Sequence, residues 1–231
     1  MTYKLIPVFC NEKNMANYAY ILTNETTNQT LVIDAAETAP LLAKLEELNL
    51  SPAYLLTTHH HFDHVGGNET LKQKYHLKII APEKEFAKVP SADIPAKDNE
   101  KLNIAGFEII PISAPGHTLG HVLYHFSKEK LLFTGDVLFN GCIGGLFEGT
   151  AEEMFNSLQK IKALPDETLI FPGHEYTRFC LPRQAYQTPA FQTYIQKMIT
   201  RENGELAPAT LKEEKQFNPY LFPSSLAEFL G

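Results

Sequence analysis

No apolar run in the sequence approaches the roughly 18 residues a membrane-spanning helix needs, so no membrane span is expected. The first residues, Met1-Thr2-Tyr3-Lys4-Leu5, pass straight into an alternating pattern without a long apolar stretch, so no secretory signal is expected. Cysteine is scarce. Cys10, Cys142 and Cys180 lie far apart with no C-x-x-C pair, which argues against a disulfide framework and suits a reducing, cytoplasmic setting. Positive charge is short as well: 20 basic residues stand against 27 acidic ones, the net charge is −7 and no basic run occurs, so no nucleic-acid surface is expected. Internal repeats and low-complexity tracts are absent. The 44% hydrophobic and 20% charged content excludes a disordered chain. A length of 231 residues fits one large domain with an appendage and suffices for a hydrophobic core. Histidine is the excess: of nine, four fall between positions 59 and 64.

Residues 3–9, 18–23, 30–34 and 53–57 read as strands, and 101–113 alternates like a hairpin. Residues 121–126, 130–134 and 168–171 continue the strand pattern. Helices are expected over 38–49, with Thr38 as N-cap and Pro40 in the first turn, then from 67 to 75 and over 150–163. The stretch 82–99 reads as polar and irregular. Beyond Gly173 the pattern becomes helical (189–203 and 210–217), and no segment there reads as a strand. The expectation is a mixed α/β (α+β) domain over 1–173 and a small helical tail domain over 174–231.

The chemistry centres on Thr58-His59-His60-His61-Phe62-Asp63-His64, an H-x-H-x-D-H pattern. Imidazole and carboxylate are ligands that zinc, iron and manganese accept. The remaining candidates share one placement. His59 follows the apolar run 53–57, His117 follows 109–113, Asp136 follows 131–134 and His174 follows 169–171, each past a strand end and most after a Gly or Pro turn. Loops at strand ends on a rigid sheet are where functional residues gather. Seven ligands result: His59, His61, Asp63, His64, His117, Asp136 and His174. One zinc takes about four, so seven fit two divalent metals sharing Asp136. His59, His61 and His117 are assigned to one ion, and Asp63, His64 and His174 to the other. Two close cations lower the pKa of a bridging water and supply hydroxide, with Asp63 and Asp136 as the catalytic carboxylates. Zinc is the first expectation for both ions, with iron or manganese as alternatives. His60 is read as supporting, His121 and His125 as sheet-face residues, His76 as solvated and Cys142 as a small loop residue.

These motifs, with Pro115-Gly116-His117-Thr118, Thr134-Gly135-Asp136 and Gly173-His174-Glu175-Tyr176, resemble the metallo-β-lactamase superfamily. More closely the chain resembles glyoxalase II, the hydroxyacylglutathione hydrolases, whose signatures are matched by Phe147-Glu148-Gly149-Thr150 and Asn218-Pro219-Tyr220. The resemblance covers nearly the whole chain. It implies an αββα sandwich and hydrolysis of S-(2-hydroxyacyl)glutathione, such as S-D-lactoylglutathione, to the hydroxy acid and free thiol. It also implies that Tyr176 lies beside the glutathione amide. Departures fall at the thiol end: the family's basic residue aligns with Gly145, its tyrosine with Phe147 and a further arginine with Phe222, while Ser224 or Ser225 replaces another cation. Arg178 or Arg183 is expected to substitute. A charge-assisted contact is worth about 1.5–3 kcal/mol, so these losses bear on glutathione recognition. The expected partner is a small-molecule thioester, with no nucleic acid and no membrane, and the chain a monomer or weak oligomer. A lactonase or esterase on the same scaffold remains open. So does an iron-dependent persulfide dioxygenase using His59, His117 and Asp136. A β-lactamase is disfavoured, since cysteine usually stands at the Asp136 position there.

Overall fold

The structure, a computed structural model, describes residues 2–10, 15–180, 188–199 and 208–231. In chain order its elements are β1 (Tyr3–Cys10), β2 (Asn17–Asn24), β3 (Gln29–Ile33), α1 (Thr38–Glu47), β4 (Pro52–Leu56), α2 (Phe62–Val65), α3 (Asn68–Tyr75), β5 (Lys78–Pro82) and β6 (Ile94–Ala96). There follow β7 (Leu102–Ile104), β8 (Phe107–Ser113), β9 (Val122–Phe126), β10 (Leu131–Gly135), β11 (Leu138–Phe139), β12 (Cys142–Ile143), α4 (Ala151–Lys162) and β13 (Leu169–Pro172). The last are α5 (Thr177–Cys180), α6 (Pro189–Ile199), β14 (Ala209–Thr210), α7 (Leu211–Phe217) and α8 (Leu226–Leu230). One six-stranded sheet runs β1-β2-β3-β4-β5-β6 and the other β14-β13-β10-β9-β8-β7.

The period-2 alternation of each strand builds the layers. Tyr18, Tyr20 and Leu22 of β2, Leu31 and Ile33 of β3, and Leu56 and Ile80 face Tyr124, Phe126, Leu131, Phe133 and Phe171 of the other sheet, forming the central core. The alternate residues, Ala19, Ile21, Val32, Leu55 and Ile79, pack beneath Leu41 and Leu45 of α1 and Leu71 of α3. On the opposite outer face Leu123, Leu132 and Ile170 pack beneath Met154, Leu158 and Ile161 of α4. Both faces of each sheet are covered, so inner strands such as β2 and β10 read as near-continuous apolar runs. This is the αββα sandwich.

Four differences from the sequence reading have physical causes. The α1 cap is Glu37, without a side-chain hydrogen bond, and Thr38 is already helical. α4 does carry its Thr150 capping box with Glu153. The irregular stretch 82–99 contains β6, a three-residue edge strand whose Pro95 costs no ladder bond at an edge. The tail, expected to be strand-free, supplies β14, which pairs antiparallel with β13. Two- and three-residue strands are too short for periodicity to betray them. The tail also gives Leu211 and Leu221 to the core under α4. Finally, Cys142 and Cys180, for which no disulfide was expected, are joined by one across 38 residues. The β11–β12 hairpin and α5 bring their Cα atoms to 6.1 Å, a juxtaposition that spacing along the chain does not reveal.

Candidate functional site

Parallel pairing of β10 with β13 places the loops after both at one rim of the second sheet, and the segment after β4, in the first sheet, meets it where the Val122 N–H donates to the Thr58 carbonyl at 2.9 Å. β8 runs antiparallel to β9, and β9 to β10, which adds the loop after β8 to the same rim. After β4 the chain stays buried through Thr57, Thr58 and His59, then turns into the four-residue helix α2. That turn, closed by the His64 N–H donating to the His61 carbonyl at 2.9 Å, swings Asp63 and His64 back beside His59 and His61. After β10, Gly135 takes φ +46°; a Cβ there would come to 2.6 Å from both His121 Nε2 and Thr58 Oγ1, so only glycine lets the chain enter Asp136 at this point.

All seven expected ligands converge. Donor atoms of His59, His61 and His117 lie within 4.8 Å of one another, and so do those of Asp63, His64 and His174. Asp136 stands between the two sets: Oδ2 is 3.0 Å from His174 Nε2 and 3.4 Å from His117 Nε2, and Oδ1 is 3.3 Å from His64 Nε2.

The imidazoles are held by their other nitrogens. His64 Nδ1 bonds Asp34 Oδ2 at 2.9 Å, His117 Nδ1 the Gly145 carbonyl at 2.8 Å, His174 Nδ1 the Met15 carbonyl at 2.7 Å and His59 Nδ1 the Thr58 hydroxyl at 3.0 Å. Each acceptor fixes a tautomer whose Nε2 is left for the site. The result is a set of donor atoms that the protein itself does not satisfy. His59 Nε2 and Asp136 Oδ1 are buried without a hydrogen bond, His117 Nε2 faces His61 Nδ1 at 3.0 Å and His64 Nε2 faces His174 Nε2 at 3.3 Å. Imidazole nitrogens and carboxylate oxygens converging in a buried space fit a cation, and the imidazole–carboxylate chemistry is that of divalent transition metals.

The electrostatics of the site follow from the same packing. Burial, then the neighbouring His64, holds the His59 imidazole well below its ordinary range, and burial likewise lowers His61 and His117. For His64, burial works downward, but the carboxylates of Asp136 and Asp34 outweigh it and hold the group well above the usual histidine range. The reciprocal holds for Asp136: burial would raise it, yet His64 and His174 keep it well below the usual carboxylate range.

His61, Asp63, His117, Asp136 and His174 form one wall of a cavity of about 490 Å³, whose described lining also includes Met15, Phe62, Phe139, Phe147, Glu148 and Tyr176. Phe62 and Phe147, 72% and 74% exposed, stand at its mouth. Of the expected substrate residues, Tyr176, Gly145 and Phe147 line it. The Tyr176 ring stacks on His174, 4.7 Å apart at 7°, and burial pushes its phenol up to about 12. Arg178, on α5, and Phe222, after the turn Pro219–Leu221, are not among the described lining residues; Arg183 lies outside the described residues.

Four contributors went unnoticed in the sequence. Asp34 accepts the Thr58 N–H and hydroxyl, both at 2.8 Å, as well as bonding His64. Asn17 Nδ2 donates to the Asp63 carbonyl and to Oδ2, both at 3.0 Å. His121, read as a sheet-face residue, is instead fully buried just before β9; its ring stacks on His59 at 4.8 Å and its Nε2 accepts the Asp136 N–H at 3.1 Å. Glu85 accepts the His60 N–H at 2.9 Å. A polar residue closing a buried strand, as Asp34 closes β3, was the one signal that could have been read.

Fold and donor cluster together define the metal-dependent hydrolase class of the metallo-beta-lactamase superfamily, whose family model matches residues 14–174. A hydroxyacylglutathione hydrolase of Pelagibacter ubique is 39% identical over 210 residues, covering 89% of this chain and 88% of that protein. One from Bdellovibrio bacteriovorus is 35% identical, covering 98% and 93%. The crystal structure of ETHE1 from Myxococcus xanthus superposes with a TM-score of 0.74 at 24% identity, covering 99% of this chain and 88% of that one, which is a likeness of fold. The chain belongs to the hydroxyacylglutathione hydrolase (glyoxalase II) family of that superfamily and is a hydrolase.

Proposed function

We propose that the protein hydrolyses S-(2-hydroxyacyl)glutathione, with S-D-lactoylglutathione as the reference substrate, using two divalent cations, zinc in the first instance. His59, His61 and His117 would hold one, Asp63, His64 and His174 the other, and Asp136 would touch both. The observation that carries the reading is the meeting of these two triads across Asp136 at the wall of the cavity. When bound, two close cations polarise the thioester carbonyl and lower the pKa of water towards neutrality.

The chain's own residues do the rest. Asp63, its carboxylate clamped by Asn17, is oriented to receive a proton from water at the cavity wall. Tyr176 keeps its phenolic proton at neutral pH and so presents a donor to the carbonyl of a bound amide. Phe62, Phe139 and Phe147 give the cavity apolar surface for the acyl group to pack against. The departing thiolate, with an ordinary thiol pKa of about 8.5, needs little protonation to leave.

Thiol release from S-D-lactoylglutathione by the cation-replete protein tests this. Two equivalents of metal and a loss on the order of a thousandfold in Asp136→Ala, equivalent to about 4 kcal/mol, are expected. Two bound metals without thiol release would overturn the substrate; a single iron with oxygen uptake on glutathione persulfide would replace the hydrolase reading. One observation favours a lactone or ester substrate as second reading: the described cavity lining contains neither Lys nor Arg. Turnover of lactones alone would establish it.

A further inference from the structure

Glu85 is a buried carboxylate that belongs neither to the ligand set nor to the described cavity lining. It ends the short 3-10 turn Glu83–Glu85 after β5 and is 2% exposed. Its Oε2 accepts the His60 N–H at 2.9 Å, and its Oε1 accepts the Gly120 N–H at 2.8 Å. His60 sits between His59 and His61; Gly120 follows His117 by three residues. One side chain thus ties together the backbones of the two loops that present His59, His61 and His117. The contact is built from both sides. His60 Nδ1 lies 2.9 Å from Glu85 Oε2, and Glu148 accepts the Leu119 N–H at 3.1 Å next to the Gly120 bond. A Cβ on Gly120 would approach Glu85 Cγ to 2.4 Å, so the loop must be bare for the carboxylate to reach it. The other triad is oriented by different groups: Asn17, Asp34 and the Met15 carbonyl. Donor atoms of His60, Glu85 and Glu148 also lie within 4.8 Å of one another, but both Glu85 oxygens are taken by backbone amides, so the group is a brace and not another cation site.

We infer that Glu85 is a positioning residue that sets the separation of the His59–His61 and His117 loops and thereby the cation affinity of that triad selectively. This rests on the reading that the triad holds one of two cations. Glutamine at 85 can accept one of the two amides and presents a donor to the other. Alanine at 120 displaces the same carboxylate from the opposite side.

The metal-free protein, Glu85→Gln and Gly120→Ala are titrated with Cd2+, followed by 113Cd NMR, with chelator competition for the two affinities. His61→Ala and His174→Ala identify which resonance belongs to which triad. Both variants are expected to weaken binding at the resonance lost in His61→Ala by about 10–100-fold. The resonance lost in His174→Ala should stay within about twofold. Equal weakening at both sites, no weakening at either, or loss of folding in both variants overturns the inference. Unaltered protein that takes up fewer than two cations overturns the binuclear reading itself, which is a separate result.

Discussion

His64 is the residue at which cation and proton compete. In the cation-free protein, burial opposes its charge, but Asp136 and Asp34 together hold it well above the ordinary histidine range. A ligating imidazole must be neutral, so uptake of the second cation has to expel that proton. The sign is therefore fixed: affinity rises with pH up to the raised pKa of His64 and falls on acidification, by as much as about tenfold per pH unit for one displaced proton. Calorimetric titration at pH 7 in two buffers of different ionisation enthalpy should show at least one proton released, the His64 proton plus whatever cation-bound water gives up; zero release would contradict it. Gly145 gives a second residue-scale prediction. A Cβ there would meet only the Phe147 ring, at an ordinary 3.4 Å, so a side chain fits. Gly145→Lys is expected to lower KM for S-D-lactoylglutathione by about tenfold with kcat little changed, the fraction of a charge-assisted bond a mobile lysine retains. An unchanged KM would show that the thiol end lies elsewhere. The ligands themselves were readable because four of them share one short motif and the others close apolar runs. Their supports were not: Asp34 meets Thr58 across 24 residues, Glu85 meets His60 across 25 and Asn17 meets Asp63 across 46, distances over which a single sequence carries no pairing information.

The β11–β12 hairpin and α5 show how short elements govern the cavity. The hairpin leads into Gly144, Gly145 and Phe147, and α5 follows directly on Tyr176. Neither has enough residues to be stable alone, so both borrow stability. Asn218 Nδ2 donates to the Phe139 and Cys142 carbonyls, each at 3.2 Å, and the buried Glu214 accepts the Gly141 N–H at 3.0 Å. The Cys142–Cys180 bond then staples α5 to the hairpin. Closing a 38-residue loop is worth about 4 kcal/mol on a chain-entropy account. Cys180→Ser is expected to lower Tm by roughly 10 °C and to raise KM while leaving metal stoichiometry at its original value. A melting curve superimposable on that of the unaltered protein, in the absence of reductant, would show that the staple contributes nothing. Elements of two to four residues leave no periodic trace, which is why the hairpin, α5 and the bond between them were not legible in the sequence, although Gly145, Phe147 and Tyr176 were named from it and Asn218-Pro219-Tyr220 marked their support.

At the scale of the whole molecule, the sequence was most legible where strands are buried on both faces, because burial there demands uninterrupted apolar runs. It was least legible in how the residues after Gly173 attach. β14 extends the second sheet, α7 and the following turn place Leu211 and Leu221 in the cluster beneath α4, and Phe191, Tyr194, Met198 and Phe217 form a further cluster of their own. Two arrangements make different predictions. If 174–231 melts as its own unit, weakening it produces an early, separate transition; if it shares the core of the second sheet, it unfolds with the rest. Leu211 decides between them, since it is fully buried against α4 and β13 rather than within the tail's own cluster. Leu211→Ala removes a buried side chain at about 2–5 kcal/mol. At this chain length the expected result is one cooperative calorimetric transition, lowered by about 10 °C, with thiol release lost in the same temperature interval. Two resolved transitions, the upper one at the original Tm, would show instead that the tail is an attachment. In that case the hydrogen bonds from Asn218 and Glu214 to the hairpin would have to be broken without loss of the αββα core.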